Sequence, residues 1–467
     1  MSSHLDHSVE DGAASLPFNM LMPPRSRPQC LSCCRLLDPS KRFDCPGCGF
    51  PLCGPACRDT DWHREECGLF REAGWRAQVD SLEGYDSQYS AVTVIRLLLV
   101  MEREEKLDVT KKQVDKKVGE GRQVHGLTRH LMDHNVERLT EQPKVWMFEK
   151  EFIVDFIHNN LQLQERFLED QIHRAAGILM TNATSLRLPE EGFGRVTALF
   201  PVFSMMNHSC CSNTKTLMNP DHSQEVHAQV LIRAGEEVTN QYLKVLQPTP
   251  ERRSFLREKW FFDCLCRRCS SPTELGSHLG SLLCQRRRCQ GVVTAARPLD
   301  YSSDYCCQQC GATVTRQEVT ASLQAAARLV EVTRPGEGEV EHHERVLDAL
   351  SNVLHTNHAL LLEVKQRLGL LYGNVKPWLW AELGRPAKER KMQVCGEVVN
   401  CLACLEGGYS MARTGMMAEL THARVLLARE DFAGGRVTRK VLGDTVIQAK
   451  FLMMHMAYQT RKIAGNG

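Results

Sequence analysis

The chain has 467 residues, 42% of them hydrophobic, and a formal net charge of +2 at pH 7. That length exceeds what one core organises, so three or more domains are expected. Near-neutral charge excludes nucleic-acid binding through bulk electrostatics, and the longest apolar run, residues 92–101, is broken by Arg96 and far short of the ~20 residues of a membrane span.

Residues 1–29 hold Pro17, Pro23, Pro24 and Pro28 and show no period of two or 3.6, so they are expected to be disordered. Their charged start (His4, Asp6, His7, Glu10, Asp11) is no secretory signal, and cytoplasmic and nuclear addresses follow as expectations. In a reducing compartment, 21 cysteines point to metal rather than to disulfides.

Residues 30–67 carry Cys30-x2-Cys33, Cys45-x2-Cys48, Cys53-x3-Cys57 and His63-x3-Cys67, with Cys34 competing with Cys33. Seven thiolates and one imidazole supply two four-ligand sets, and so short a segment folds only around them. With Trp62 just before the histidine, the pattern resembles the MYND zinc finger. The resemblance implies interleaved ligands: Cys30, Cys33, Cys53 and Cys57 on one zinc, and Cys45, Cys48, His63 and Cys67 on the other. It also implies docking of short proline-containing peptides at the finger.

Residues 68–180 are expected to be a helical insert. SAVTVIRLLLVMERE, VWMFEKEFIVDFIHNNL and QERFLEDQIHRAAGILMTNA repeat apolar positions every three or four residues, and the charge run KLDVTKKQVDKKVGEGR reads as a solvated connection. Over 181–260 the period changes: RVTALFPVFSMM reads as a buried strand, and EVHAQVLIRAGEEVTNQY as two short strands about a turn at Ala234-Gly235. Thr249, Pro250 and Glu251 open a helix that runs into the CxCxxC of Cys264, Cys266 and Cys269. Residues 284–310 read as a zinc ribbon of Cys284, Cys289, Cys307 and Cys310, with Cys306 interchangeable with Cys307. From 316 to 467 the chain is expected to be paired helices, tetratricopeptide-like, with Cys395, Cys401 and Cys404 as core residues.

NHSC at 207–210, GEEVTNQY at 235–242 and the CxCxxC, set between a finger and a helical C-terminal part, resemble the SET-and-MYND protein lysine methyltransferases over residues 30–460. The second finger is similar to that of the insect-type members. The resemblance implies a multidomain α+β fold: SET core over 181–260, a post-SET zinc site and ribbon over 261–315, and a helical domain beyond. It implies S-adenosylmethionine as cofactor, held by Asn182, Asn207, His208 and Phe262, with Tyr242 as the catalytic tyrosine. Cys210, with Cys211 as the alternative, would join Cys264, Cys266 and Cys269 on a third zinc, giving about four zinc ions with the ribbon. Lysines of histone or non-histone proteins are the expected substrates of a monomeric enzyme with no membrane and no direct nucleic-acid partner.

The chain departs from the family's pattern in two minor places, Ser212 for proline and Asn240-Gln241 before the tyrosine. A third departure is larger. The family sets SET strands with a Gly-x-Gly turn ahead of the finger, whereas residues 1–29 hold only Gly12, and Gly192-Phe193-Gly194 reads as a turn. A half-built cofactor site is therefore an expectation, and a catalytically weak, zinc-stabilised scaffold is the competing one.

Overall fold

A computed structural model describes residues 9–10, 16–18, 29–38, 41–78, 87–111, 127–187, 195–218, 223–331, 338–407 and 410–464. Its contacts form two compact units, Met1–Met206 with Thr216–Val226 and Ile463–Gly465, and Asn207–Lys215 with His227–Lys462 and Asn466–Gly467.

In the first unit, two strands precede the finger and correct the expectation of a structureless start. β1 (Val9–Glu10) pairs antiparallel with β9 (Gln224–Ala228), Val9 opposite Val226, in a sheet ordered β1–β9–β8 with β8 at Thr214–Met218. β2 (Leu16–Phe18) pairs antiparallel with β6 (Arg195–Leu199), and β5 (Thr184–Arg187) completes the order β2–β6–β5. Strands of two and three residues are too short to show a period. Pro17 is tolerated because β2 is an edge, where its missing N–H breaks no ladder. Gly12 and residues 192–194 lie outside the described residues.

The finger is the hairpin β3 (Phe43–Asp44) and β4 (Pro51–Leu52), then α1 (Pro55–Arg58) and α2 (Asp61–Glu72). It shares one core with α3 (Ser87–Lys111) and α6 (Glu169–Asn182): Phe50, Leu52 and Phe70 pack with Ile95, Leu97, Leu98, Ile172, Ile178 and Leu179. Arg96, which interrupts the apolar run, is itself in that core. Its guanidinium is paired with buried Glu66 of α2 (Nη2 to Oε2, 2.9 Å) and donates to the Leu31 carbonyl, so it fastens finger to helix. The helix expected over 145–161 is instead α5 (Pro143–Glu149) continued by π-helical turns at Lys150–Val154 and Phe156–Asn160, with α4 (Asn135–Glu141) before it. The strand expected over 195–206 stops at Leu199. Pro201 has no N–H for a ladder and opens α7 (Pro201–Ser204) instead.

In the second unit, β7 (Asn207–His208) pairs parallel with β10 (Thr239–Asn240). The expected strand pair across Ala234-Gly235 is therefore corrected. β9 and β10 have other partners, and between them Val230 and Leu231 are 48% and 78% exposed. α8 (Thr249–Trp260) follows, then β11 (Leu282–Leu283), β12 (Val292–Ala295), β13 (Tyr305–Cys307) and β14 (Thr313–Val314) in one antiparallel sheet of sequential order. The rest is helical: α9 (Arg316–Glu331), α10 (Glu339–Leu350), α11 (Ala359–Leu371), α12 (Arg385–Leu405), α13 (Met411–Ala433) and α14 (Arg439–Ala464). Leu347, Leu361, Leu362, Leu368, Val394, Val398 and Leu402 form its core with Cys395 and Cys401. Cys404, expected inside, is exposed.

Buried histidines give this unit an acid limit. His358 is 2% exposed, its Nδ1 accepting the Leu360 N–H (3.3 Å) to cap α11, and burial pushes its imidazole down from 6.5 to about 4. A base with a depressed folded pKa stabilises fully above its unfolded value, and that stabilisation is lost as pH falls from 6.5 through 4. At about 1.4 kcal/mol per unit the loss approaches about 3 kcal/mol. Urea melts at pH 7 and pH 4.5 check this. His358→Asn, which keeps a capping side chain but cannot protonate, should shift much less between the two than the parent. Contributions from acid-labile metal sites cancel in that comparison.

Candidate active site and metal clusters

Among the described residues, four groups of side chains each gather four Cys or His donors, whose ligand atoms all lie within 4.8 Å of one another. They are Cys30, Cys33, Cys53 and Cys57; Cys45, Cys48, His63 and Cys67; Cys210, Cys264, Cys266 and Cys269; and Cys284, Cys289, Cys307 and Cys310. Zn–S bonds near 2.3 Å set tetrahedral sulfurs about 3.8 Å apart. The structure shows 3.4 Å for Cys33 to Cys53, 3.7 Å for Cys45 to Cys67, and 3.6 and 3.9 Å from Cys210 to Cys269 and Cys264. Both measured pairs of the ribbon, Cys284 to Cys310 and Cys289 to Cys307, are at 3.7 Å. All of these cysteines are free of disulfides. Their donor chemistry and spacing fit zinc.

Local backbone explains the groups. In the finger, the Cys45 N–H reaches the Phe50 carbonyl and the Gly49 N–H the Cys45 carbonyl, both 2.9 Å, closing a knuckle over β3 and β4. A Cβ at Gly47 would lie 2.6 Å from the Cys67 sulfur, and one at Gly291 would lie 2.5 Å from the Cys307 sulfur, so neither turn admits a side chain. α2 presents His63 and Cys67 one turn apart. Burial, then the charge of Arg96, pushes His63 down to about 4 and keeps the imidazole in the neutral form that a metal ligand requires.

Three cysteines of the doublets stand outside the groups. Cys34 is buried in the left-handed region (φ 61), and burial pushes its thiol up to about 12. Strand alternation on β13 turns Cys307 inward and leaves Cys306 half-buried. Cys211 is half-buried beside Cys210.

Around the third group the chain builds an aromatic corner. The strand pairing of β7 with β10 continues through Ser209 N–H to the Asn240 carbonyl (3.0 Å). Asn213 knots the two segments: its Nδ2 donates to the Glu237 carbonyl and its Oδ1 accepts the Thr239 N–H, both 2.8 Å. Asn207 donates to Glu237 Oε1 at 2.6 Å. At the end of α8, Phe261 takes a left-handed conformation (φ 55) and redirects the chain to Phe262 and Cys264. Tyr242 then stands with its ring 4.9 Å from Trp260 and 5.1 Å from His208, whose ring is 6.1 Å from Phe262. Burial raises the Tyr242 pKa, so it is a neutral phenol at physiological pH.

No family model matches the chain. Among curated proteins, it is 29% identical over 285 residues to SET domain-containing protein SmydA-8, isoform B, of Drosophila melanogaster, covering 60% of the chain and 56% of the relative. It is 28% identical over 246 residues to histone-lysine N-methyltransferase SMYD3 of Mus musculus, half of each. It is 32% identical over 124 residues to N-lysine methyltransferase SMYD2-B of Xenopus laevis, 25% of the chain and 29% of the relative. These relatives are thus a SET domain-containing protein and two lysine N-methyltransferases. The chain spans about half the length of the first of them, 56% and 50% for the insect and mouse proteins named.

Of the residues that the SET and MYND resemblance nominates, Asn207, His208, Tyr242, Phe262 and the third cysteine group all lie in the second unit, and the rings of His208, Tyr242 and Phe262 share one corner. Asn182 lies in the first, at the end of α6, where its amide donates to the carbonyls of Met132 and Ile178, each 2.8 Å. Sequence reasoning overlooked Glu237, Arg252 and Glu274. Arg252 is fully buried and binds Cys210 Sγ (3.2 Å) and Glu274 (2.7 Å), and nothing in RRSFLREKW distinguishes it from the exposed Arg257 of the same helix. Glu237 could have been found, because GEE places it beside the NHSC partner strand. Among the described residues no helix is long and apolar enough to cross a membrane.

Proposed function

We propose that this chain is an S-adenosylmethionine-dependent protein-lysine N-methyltransferase acting on histone or non-histone proteins. The supporting observation is the corner in which Tyr242, His208, Trp260 and Phe262 converge beside the Cys210 group. When bound, the cofactor supplies an activated methyl on a cationic sulfur. The residues' share of the work is alignment, because direct displacement by an amine needs little acid or base. Phe262 and Trp260 offer aromatic faces to adenine and to the alkyl stem of lysine. Tyr242, a neutral phenol whose pKa burial raises further, orients the amine and stabilises the charge passing to it. Asn207 is held for backbone contact with the cofactor by Glu237.

Calorimetry of the zinc-loaded protein with S-adenosylmethionine tests the reading, and no binding at millimolar cofactor sinks it. Where binding occurs, Tyr242→Phe is expected to keep the affinity and lower kcat on a lysine peptide by about 100-fold. The second reading, a zinc-stabilised scaffold that binds partner peptides, is favoured by Asn182, both of whose amide hydrogens are already engaged. That reading gains if the protein binds proline-containing peptides at the finger but no cofactor.

A further inference from the structure

His208 sits between a metal ligand and the tyrosine. Its Nδ1 lies 3.1 Å from the backbone nitrogen of Tyr242, and its Nε2 lies 3.2 Å from Cys210 Sγ. A backbone N–H can only donate, so Nδ1 is the bare nitrogen and Nε2 carries the hydrogen. The imidazole therefore donates to the sulfur with one side while it accepts from the Tyr242 amide with the other. Its ring also packs 5.1 Å from the Tyr242 ring.

Arg252 binds two sulfurs of the same group. All five of its N–H positions have acceptors: Nε on Cys210 Sγ (3.2 Å), Nη1 on the Gln247 carbonyl (2.5 Å) and Glu274 (2.7 Å), and Nη2 on Thr249 Oγ1 (2.9 Å) and Cys269 Sγ (3.4 Å). Glu274 is held in turn by Arg268 (3.1 Å) and by the Thr249 N–H (2.8 Å). Arg252 thus ties Cys210 and Cys269 to α8 and Glu274, while His208 is the link that runs from Cys210 to the Tyr242 amide.

We propose that His208 is a positioning residue that transmits metal occupancy of the Cys210–Cys264–Cys266–Cys269 group to Tyr242. With the metal in place, Cys210 is a fixed acceptor that orients the imidazole, and the oriented Nδ1 holds the Tyr242 amide. With the metal gone, the sulfurs are no longer held together, the Nε2–H loses its fixed acceptor, and the tyrosine backbone is released. The site is then metal-gated. The catalytic meaning of that gate rests on the function proposed above, but the coupling itself does not.

Hydrogen exchange at the Tyr242 amide reads the coupling directly. In the zinc-loaded parent this amide is expected to be protected. His208→Phe, which keeps a ring but removes both nitrogens, should speed its exchange at least tenfold while the ribbon strands β12 and β13 keep their protection. His208→Gln, which can accept and donate at once, should restore most of it. Cys266→Ser, which weakens this metal group alone, should release the same amide in a chain whose His208 is intact, with native mass spectrometry showing one zinc fewer. This arm decides the matter if His208→Phe fails to fold. Unchanged Tyr242 protection in both His208→Phe and Cys266→Ser overturns the proposal. Cofactor titration of the same samples keeps the two ideas apart, since absence of cofactor binding in the parent defeats the methyltransferase reading and leaves the exchange result standing.

Discussion

Removing metal from the finger is expected to unfold residues 30–76, not merely to loosen them. Their regular structure is two strands of two residues each and two short helices, and an isolated hairpin of that size is marginal in water. Structural zinc sites supply about 10–16 kcal/mol of apparent folding free energy in small fingers. Here two such sites interleave, so neither the Cys45 knuckle nor the Cys53–Cys57 turn can hold alone. Loss should spread as far as Trp75, whose ring packs 5.3 Å from Phe70 and 4.9 Å from Phe156, because Phe70 is placed by α2 and α2 by His63 and Cys67. It should also expose the buried ion pair of Arg96 and Glu66, because Glu66 is placed by α2 and the Leu31 carbonyl that Arg96 binds lies in the finger. Hydrogen exchange with and without chelator, with zinc counted by mass, measures this. Protection that persists over 43–72 after complete zinc loss would contradict it.

Cysteine spacing made the metal groups legible because a tetrahedral ion imposes distances that sequence separation can report. What spacing could not resolve were the doublets, which depend on which way one residue faces. Cys307 over Cys306 is decided by the pleat of β13, and Cys34 is turned away by a left-handed backbone. The long helices of the C-terminal half were readable from periodicity, whereas β1, β2 and β7 were not, and β10 was expected as a strand but with the wrong partner. Each is two or three residues long and exists only because a partner distant in sequence pairs with it. Arg96 shows the same limit from the other side. In the sequence it is a charge that spoils an apolar run, and in the fold it is a core residue because Glu66 is there. In the site, Tyr242 and Phe262 were visible as motif residues. The side-chain chain from Cys210 through His208 to the Tyr242 amide is a matter of which nitrogen faces what, and composition is silent on that.

Lys391→Met is expected to cost about 3 kcal/mol, the low end of the range for breaking a buried ion pair by removing one partner. Lys391 is fully buried on α12, and its ammonium spends three hydrogens on the Gly369 carbonyl (2.8 Å), the Tyr372 carbonyl (2.5 Å) and Glu419 Oε2 (2.5 Å). Gly369 lies in the last turn of α11 and Tyr372 is its C-cap, where carbonyls have no partner within the helix. Glu419 lies on α13, so one cation closes three helices around a single point. The Trp380 ring, 4.5 Å from the ammonium, adds a cation–π contact. Methionine preserves the volume but leaves two carbonyls and a carboxylate unanswered. The cost sits at the low end because the Glu419 side chain is 23% exposed and can turn partly to water. Lys391→Met with Glu419→Gln removes the stranded charge and should recover about 1 kcal/mol or more, since what remains is unsatisfied neutral polar groups. Urea melts of the parent and both variants, followed by exchange at α11–α13 amides, separate the cases. A single-variant loss below about 1 kcal/mol would mean that water reaches the α11 carbonyls and that the three helices are held by their apolar faces alone.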